Sequence, residues 1–228
     1  RRDELRSFLG EKHDVRAINN GVPLPTDLPD SGKPATVRET YGIAEPDLLL
    51  VGVGRMEPQK RPFRFLEVAA QIQNERPDAR FLWVGDGPLR ADWEKRVQEG
   101  GLDDVVRCVG WQDDVNPFLA AADGFLHVAE FEGLPLALIE AMAAELPCMI
   151  PRSLLEDFEV LGDQHVLVTD EGDSLRRALQ TPSCMRQVAR RGRQLVEEKL
   201  SVASVLAAAA VGVAPVIVCV MFDATERS

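Results

Sequence analysis

The sequence predicts a doubly wound α/β domain, a parallel sheet covered by helices on both faces. Three observations carry that expectation. Short, continuous apolar runs recur along the middle of the chain, each run stops at a glycine or polar turn, and each turn leads into an amphipathic stretch. Strands buried on both faces read as unbroken apolar runs, and the alternation with helices is what parallel crossovers require. Composition agrees: 45% of the 228 residues are hydrophobic and 28% charged, ordinary proportions for a chain with a core.

The elements follow in order. Residues 1–45 are polar and punctuated by Asn19-Asn20-Gly21, Pro23, Pro25, Pro29 and Pro34, and read as a linker or the seam between domains. From Leu48 the pattern changes. Leu48–Val51 predicts a strand ending in Gly52-Val53-Gly54, followed by a helix from about Arg61 to Asn74 with Phe65, Leu66, Ala69, Ala70 and Ile72 on its apolar face. Phe81–Val84 predicts a second strand, stopped by Gly85-Asp86-Gly87-Pro88 before a helix over Arg90–Glu99. Val105–Val109 ends at Gly110 before a short helix near Val115–Ala121. Gly124–Val128 precedes a loop and a helix over Leu136–Ala144, and Cys148–Ile150 is the next strand. In this architecture ligands bind outside the carboxyl ends of the strands, so the loops that follow them are the places to search for chemistry.

Residues 201–222 contain no charged side chain, close to the ~20 apolar residues that span a bilayer. The run is Ala-rich, then carries Gly212 and Pro215, then turns into Val216–Val220. A helix end followed by a buried strand is the more natural reading, with an apolar tail and peripheral membrane contact as alternatives. The domain division expected is therefore 1–45 linker, 46–200 ligand-binding domain and 201–228 apolar tail.

Charge and cysteines limit the functional classes. A formal charge of −11 argues against nucleic-acid binding, which needs a basic face. The four cysteines form no CxxC or Cys/His cluster with zinc-ligand spacing, so reduced thiols in a cytoplasmic protein are expected, and no metal centre. The first residue is Arg and no signal segment opens the sequence, which reads as a piece of something longer.

Two glycine turns follow predicted strands, but neither completes a dinucleotide fingerprint. The place of the third glycine in G-x-G-x-x-G is held by Glu57 after the first strand and by Arg90 after the second, and no G-K-[ST] closes a phosphate loop. The first turn instead offers Gly54-Arg55 and, five residues on, Lys60. Two cations at a strand's carboxyl end beside a helix start form a site for a diphosphate, although loop residues of this kind also serve simply as a charged surface. The second constellation is Glu132 and Glu140, with seven residues between them. Pro135 suits the first position of a helix. Gly133 lets backbone come close to a ligand, and the two carboxylates suit the recognition of hydroxyls; the plainer reading is two acids on a helix start and face.

Together these stretches resemble the nucleotide-sugar-binding half of the retaining glycosyltransferases of family 4, which have the two-domain GT-B fold. The resemblance spans about Val15 to Lys199. It rests on Ile18-Asn19-Asn20-Gly21-Val22, on Val51 to Arg61, on Val84 to Arg90, on Val106 to Gly110, and most of all on Glu132 to Glu140 followed by Ala141-Met142-Ala143, which is similar to the family's E-x7-E motif. It implies a Rossmann-like sheet forming one half of a GT-B fold, and transfer of a sugar from a nucleotide diphosphate sugar to an acceptor with retention of configuration. Arg55 and Lys60 would hold the diphosphate and stabilise the leaving charge without an obligatory metal or cofactor. Glu132 would meet the donor sugar and Glu140 the ribose. Gly54 would line the phosphate site, backbone N–H groups near Gly133, Leu134 and Leu136 would contact phosphates or sugar, and Val109 would lie beside the base. The implied partner is the missing N-terminal acceptor domain.

The sequence departs from the family pattern at Ala129, where serine is usual; at Glu145, where a small residue is usual; and after Ile150, where Pro151–Glu159 replaces a glycine-rich loop and Glu159-Val160 fills the family's E-V-I place. These departures keep open a degenerate, non-catalytic module for assembly or sensing. His127 reads as a strand-end histidine held by its own packing, and Trp83 and Trp111 as core or pocket wall.

Overall fold

Every apolar run becomes a strand in the computed structural model of the chain, which describes residues 15–18, 21–25, 35–129, 132–158, 160–170, 179–210 and 217–220. Asn19, Asn20, Glu159, most of the Pro-rich linker and the tail around Gly212 and Pro215 lie outside the described residues. The elements are β1 (Val15–Ile18), α1 (Ala35–Tyr41), β2 (Leu48–Val53), α2 (Pro62–Glu75), β3 (Ala79–Val84), α3 (Arg90–Glu99), β4 (Val106–Gly110), α4 (Asn116–Ala121), β5 (Gly124–Leu126), α5 (Leu136–Ala143), β6 (Cys148–Ile150), α6 (Arg152–Asp157), β7 (Leu167–Val168), α7 (Pro182–Leu195), α8 (Val202–Ala210) and β8 (Ile217–Val220).

The main sheet has six parallel strands in the order β4-β3-β2-β5-β6-β7. The chain winds outward from β2 in one direction, then returns to its other side and winds outward in the opposite one. Strand β2 is thus the point where the order reverses, and the crevice between its end and that of β5 is where such sheets hold ligands. Successive residues point to opposite faces of a strand. Leu49 and Val51 therefore join Val84, Phe125 and Ile150 under α4 and α5, while Leu50 joins Phe65, Phe81, Trp83 and Leu126 under α2 and α3.

Several features were not read from the sequence. Helix α1 lies within the stretch expected as linker and is clamped to the domain by Arg38, only 2% exposed. Arg38 donates to the carbonyls of Ala121, Ala44 and Asp47 and to the carboxylate of Asp123. The residues after Ile150 form α6, and Leu154, Leu155 and Phe158 point into the core. Glu145 stands at φ 57°, just past α5, with its N–H on Met142 O and that of Leu146 on Ala141 O. It occupies the left-handed C-terminal cap position that usually takes a residue without a side chain.

The apolar tail forms a helix and then a strand. Strand β8 pairs in parallel with β1, Val15 opposite Ile217 and Ile18 opposite Val220, as a separate two-stranded sheet. Nearby, Val22 N–H donates to Leu200 O and Val202 N–H to Val22 O, which ties Val22 to the junction between the π-helical turn Val196–Leu200, which follows α7, and α8. Among the described residues no helix is long and apolar enough to cross a membrane.

Candidate functional site

The loops after β2 and β3 are sewn together by backbone. Gly54 N–H donates to Val84 O, Met56 N–H to Asp86 O and Leu89 N–H to Met56 O, and Trp83 Nε1 donates to Gly54 O. Gly54 and Gly85 therefore serve a close backbone approach. The turn then closes through a 3₁₀ segment, Pro58–Lys60, and Arg61 enters α2 in the left-handed region at φ 49°. This path brings the Lys60 stem over Gly54: a Cβ placed on Gly54 would meet Lys60 Cδ at 3.4 Å.

From the opposite side of the reversal point comes β5, followed by His127 and Glu132. Lys60 Nζ lies 3.0 Å from Glu132 Oε1, and His127 Nε2 lies 3.1 Å from the same oxygen. All three side chains are largely enclosed, at 14%, 3% and 4% exposure for Lys60, Glu132 and His127. His127 Nε2 is fully buried, and although within hydrogen-bond distance it is not aligned for a straight N–H···O bond. Its ring lies nearly parallel to Phe125, centroids 6.0 Å apart. Burial alone would raise the Glu132 carboxyl, but the His127 contact and charge and then Lys60 outweigh it and hold it below the usual glutamate value. Val53, Trp83, Leu126, Val128 and Ala129 complete a narrow crevice with Lys60 and His127.

The other expected site residues are distributed as follows. Arg55 sits on the same loop, a third exposed, with its guanidinium 2.8 Å from Glu57 Oε1. Glu140 is half-buried on α5, about one turn inside it. Gly133 faces open space where a side chain would be. Leu134 is buried, and Leu136 packs partly against the core. The N–H of Leu136, expected to face a ligand, donates instead to Leu134 O at 2.9 Å across Pro135 (φ −77°, ψ 77°). That is an inverse γ-turn, which satisfies the group locally. Val109 is half-buried near the end of β4, where Gly85 N–H meets Gly110 O. Trp83 is core and crevice wall as read, but Trp111 is 58% exposed, just past the end of β4 at Gly110. His127 is the residue that sequence reasoning passed over as a participant. Its signal was position: the residue that leaves β5 beside the point of reversal. Among the described residues no three His, Cys, Asp or Glu side chains gather as a metal-ligand set.

A parallel sheet of this order, with a cation and a carboxylate meeting at its reversal point, defines a doubly wound α/β domain, and comparison with known proteins supplies the family. The family model for glycosyl transferases group 1 matches residues 47–183, more than half of the chain, and the chain belongs to that family. It is 34% identical over 139 residues to the UDP-Gal:alpha-D-GlcNAc-diphosphoundecaprenol alpha-1,3-galactosyltransferase of Escherichia coli, covering 60% of this chain and 36% of that protein. The Rossmann-like sheet with its flanking helices matches part of the GT-B glycosyltransferase structures. S. aureus TarM, in a complex with fondaparinux, alpha-GlcNAc-glycerol and UDP, superposes with a TM-score of 0.70 at 18% identity over 90% of this chain and 40% of its own. Anabaena HepE in complex with UDP and glucose gives 0.66 at 18% identity, over 77% and 50%. The chain spans about a quarter to a half of the length of the curated relatives it matches.

Proposed function

We propose that this chain is the donor-binding half of a retaining glycosyltransferase, taking a nucleotide diphosphate sugar in the crevice between the ends of β2 and β5. The observation that carries the reading is the meeting of Lys60 and Glu132 across the point where strand order reverses. Lys60 is placed to accompany the diphosphate as the bond from the anomeric carbon to the phosphate oxygen breaks and negative charge builds on the leaving group. Fixed cations in an enclosed site stabilise such charge without a metal. Arg55 adds a second cation from the same loop. Glu132 engages its partners through Oε1, which makes Oε2 the acceptor for a donor hydroxyl. Glu140 would hold the ribose, and the base would lie toward Val109. A uridine nucleotide is the first candidate, because HepE and TarM were solved with UDP.

The acceptor side would come from polypeptide outside this chain, so residues 1–228 alone are expected to bind donor but to turn over little. Calorimetry with UDP, GDP and ADP tests the reading. Micromolar to low-millimolar binding of one of them, lost in Lys60→Ala and weakened in Arg55→Ala, is the expected result. The anomeric configuration of the product made by the full-length enzyme, read by NMR, tests retention. A second reading, a fold-preserving module without activity, is favoured by Ala129, which puts a methyl group where the family places a hydroxyl on the crevice wall. Absence of binding to all three nucleotides at millimolar concentration would select it.

A further inference from the structure

Among the described residues, the crevice holds a polar group to which the donor reading gives no work, the buried imidazole of His127. It shares Glu132 Oε1 with Lys60, at 3.1 Å and 3.0 Å, but its own contact is misaligned. The carboxylate is 3% exposed, so water cannot replace a partner that leaves. Lys60 therefore faces two demands. In the empty crevice it neutralises Glu132, and with donor bound it is needed at the diphosphate. A buried carboxylate deprived of its cation is strongly unfavourable, so a lysine with no substitute behind it would stay where it is.

We propose that His127 is a positioning residue that takes over Glu132 when Lys60 turns to the donor diphosphate, and so makes Lys60 available. The inference rests on the donor-binding reading above and adds to it how the cation is released. The geometry suits the task. The imidazole is stacked on Phe125, and the backbone N–H of His127 donates to Met149 O just past the end of β5, so the ring is already beside the oxygen it must hold. A small movement of the carboxylate straightens the bond, and hydrogen bonds of this kind are often poorly aligned until ligand is present. The ring is effective with a proton on Nε2 whether neutral or charged. Three consequences follow. Removing the donor nitrogen of His127 traps Lys60 on Glu132, removing the charge of Glu132 as well frees it, and a ligand that stops short of the second phosphate is indifferent to both.

The test uses calorimetry on residues 1–228 with the nucleoside diphosphate that the wild type binds and with the matching monophosphate. His127→Phe keeps the stack on Phe125 and loses the nitrogen. It is expected to weaken diphosphate binding about tenfold or more, with monophosphate binding unchanged. His127→Gln, which returns an N–H near the Nε2 position, is expected to recover most of the loss. The double variant His127→Phe, Glu132→Gln is expected to bind diphosphate better than His127→Phe alone. In the wild type, imidazole ¹⁵N–¹H correlation spectra should show the His127 ring resonances move on addition of diphosphate, a readout that needs no variant. Wild-type diphosphate affinity in His127→Phe, equal weakening toward both nucleotides, failure of the double variant to recover, or unmoved His127 resonances in a bound sample would each overturn the proposal. If the wild type binds none of UDP, GDP and ADP, the donor reading itself fails and this inference falls with it.

Discussion

A Cβ placed on Gly85 would lie 2.0 Å from the carbonyl oxygen of Gly54. The two turns that a dinucleotide motif would use for phosphate are thus packed against each other, and Gly85 is held at φ 142° to allow it. Gly85→Ala should destabilise the chain by about 2 kcal/mol or more, since neither backbone can retreat without breaking the strand-end bonds. Urea denaturation measures it, and a loss below about 0.5 kcal/mol would mean the turns separate easily.

Arg38 and Asp123 meet at 2.6 Å, and the same guanidinium serves three carbonyls while Asp123 also accepts Leu49 N–H. Arg38→Ala leaves those acceptors without their donor. A loss of about 3 kcal/mol is expected, with the m-value unchanged if only the clamp of α1 is affected.

Glu145 carries a side chain in a left-handed cap position where glycine has no such cost. Its ion pair to Arg190 at 3.7 Å is weak because Arg190 is exposed. Glu145→Gly should therefore stabilise the chain by about 1 kcal/mol, seen as a higher urea midpoint.

The carboxyl of Glu132 titrates below its ordinary value of 4.5, against the effect of burial and because of His127 and Lys60. A depressed carboxyl adds stability that is complete above the unfolded value and lost as pH falls through the folded one. Wild-type stability should thus drop from about pH 5 to pH 3 more steeply than that of Glu132→Gln. Parallel acid limbs in chemical denaturation would show that the ion pair adds nothing.

Much of the fold was legible because the strands of this sheet are buried on both faces. Leu48–Val53 and Ala79–Val84 could be read as strands without any alternation to interpret, and their stops were marked by Gly54 and Gly85. Residues after Ile150 were not legible. Strand β7 is two residues long, and α7 hides its buried stripe of Val188, Ala189, Gly192 and Leu195 among four arginines, Arg186, Arg190, Arg191 and Arg193. At the site, Lys60 and Glu132 could be found because their residue types state a chemistry. His127 could not, since a histidine at a strand end declares nothing until the strand order places it beside the reversal. The Leu136 N–H was misread for a similar reason: Pro135 suggests a helix start with free donors, and only coordinates show the γ-turn that uses one of them.

Strand β1 pairs with a segment made roughly two hundred residues later. Loop closure over such a distance costs little more than over half of it, because the penalty grows only with the logarithm of length. Timing is affected far more than stability. During translation the six-stranded sheet can assemble while β1 waits on the ribosome-distal side, and its mate emerges only after β7, α7 and the alanine-rich α8. The small sheet therefore forms after the six-stranded one, and a nascent chain halted before Ile217 would carry a completed crevice with that strand still unmatched.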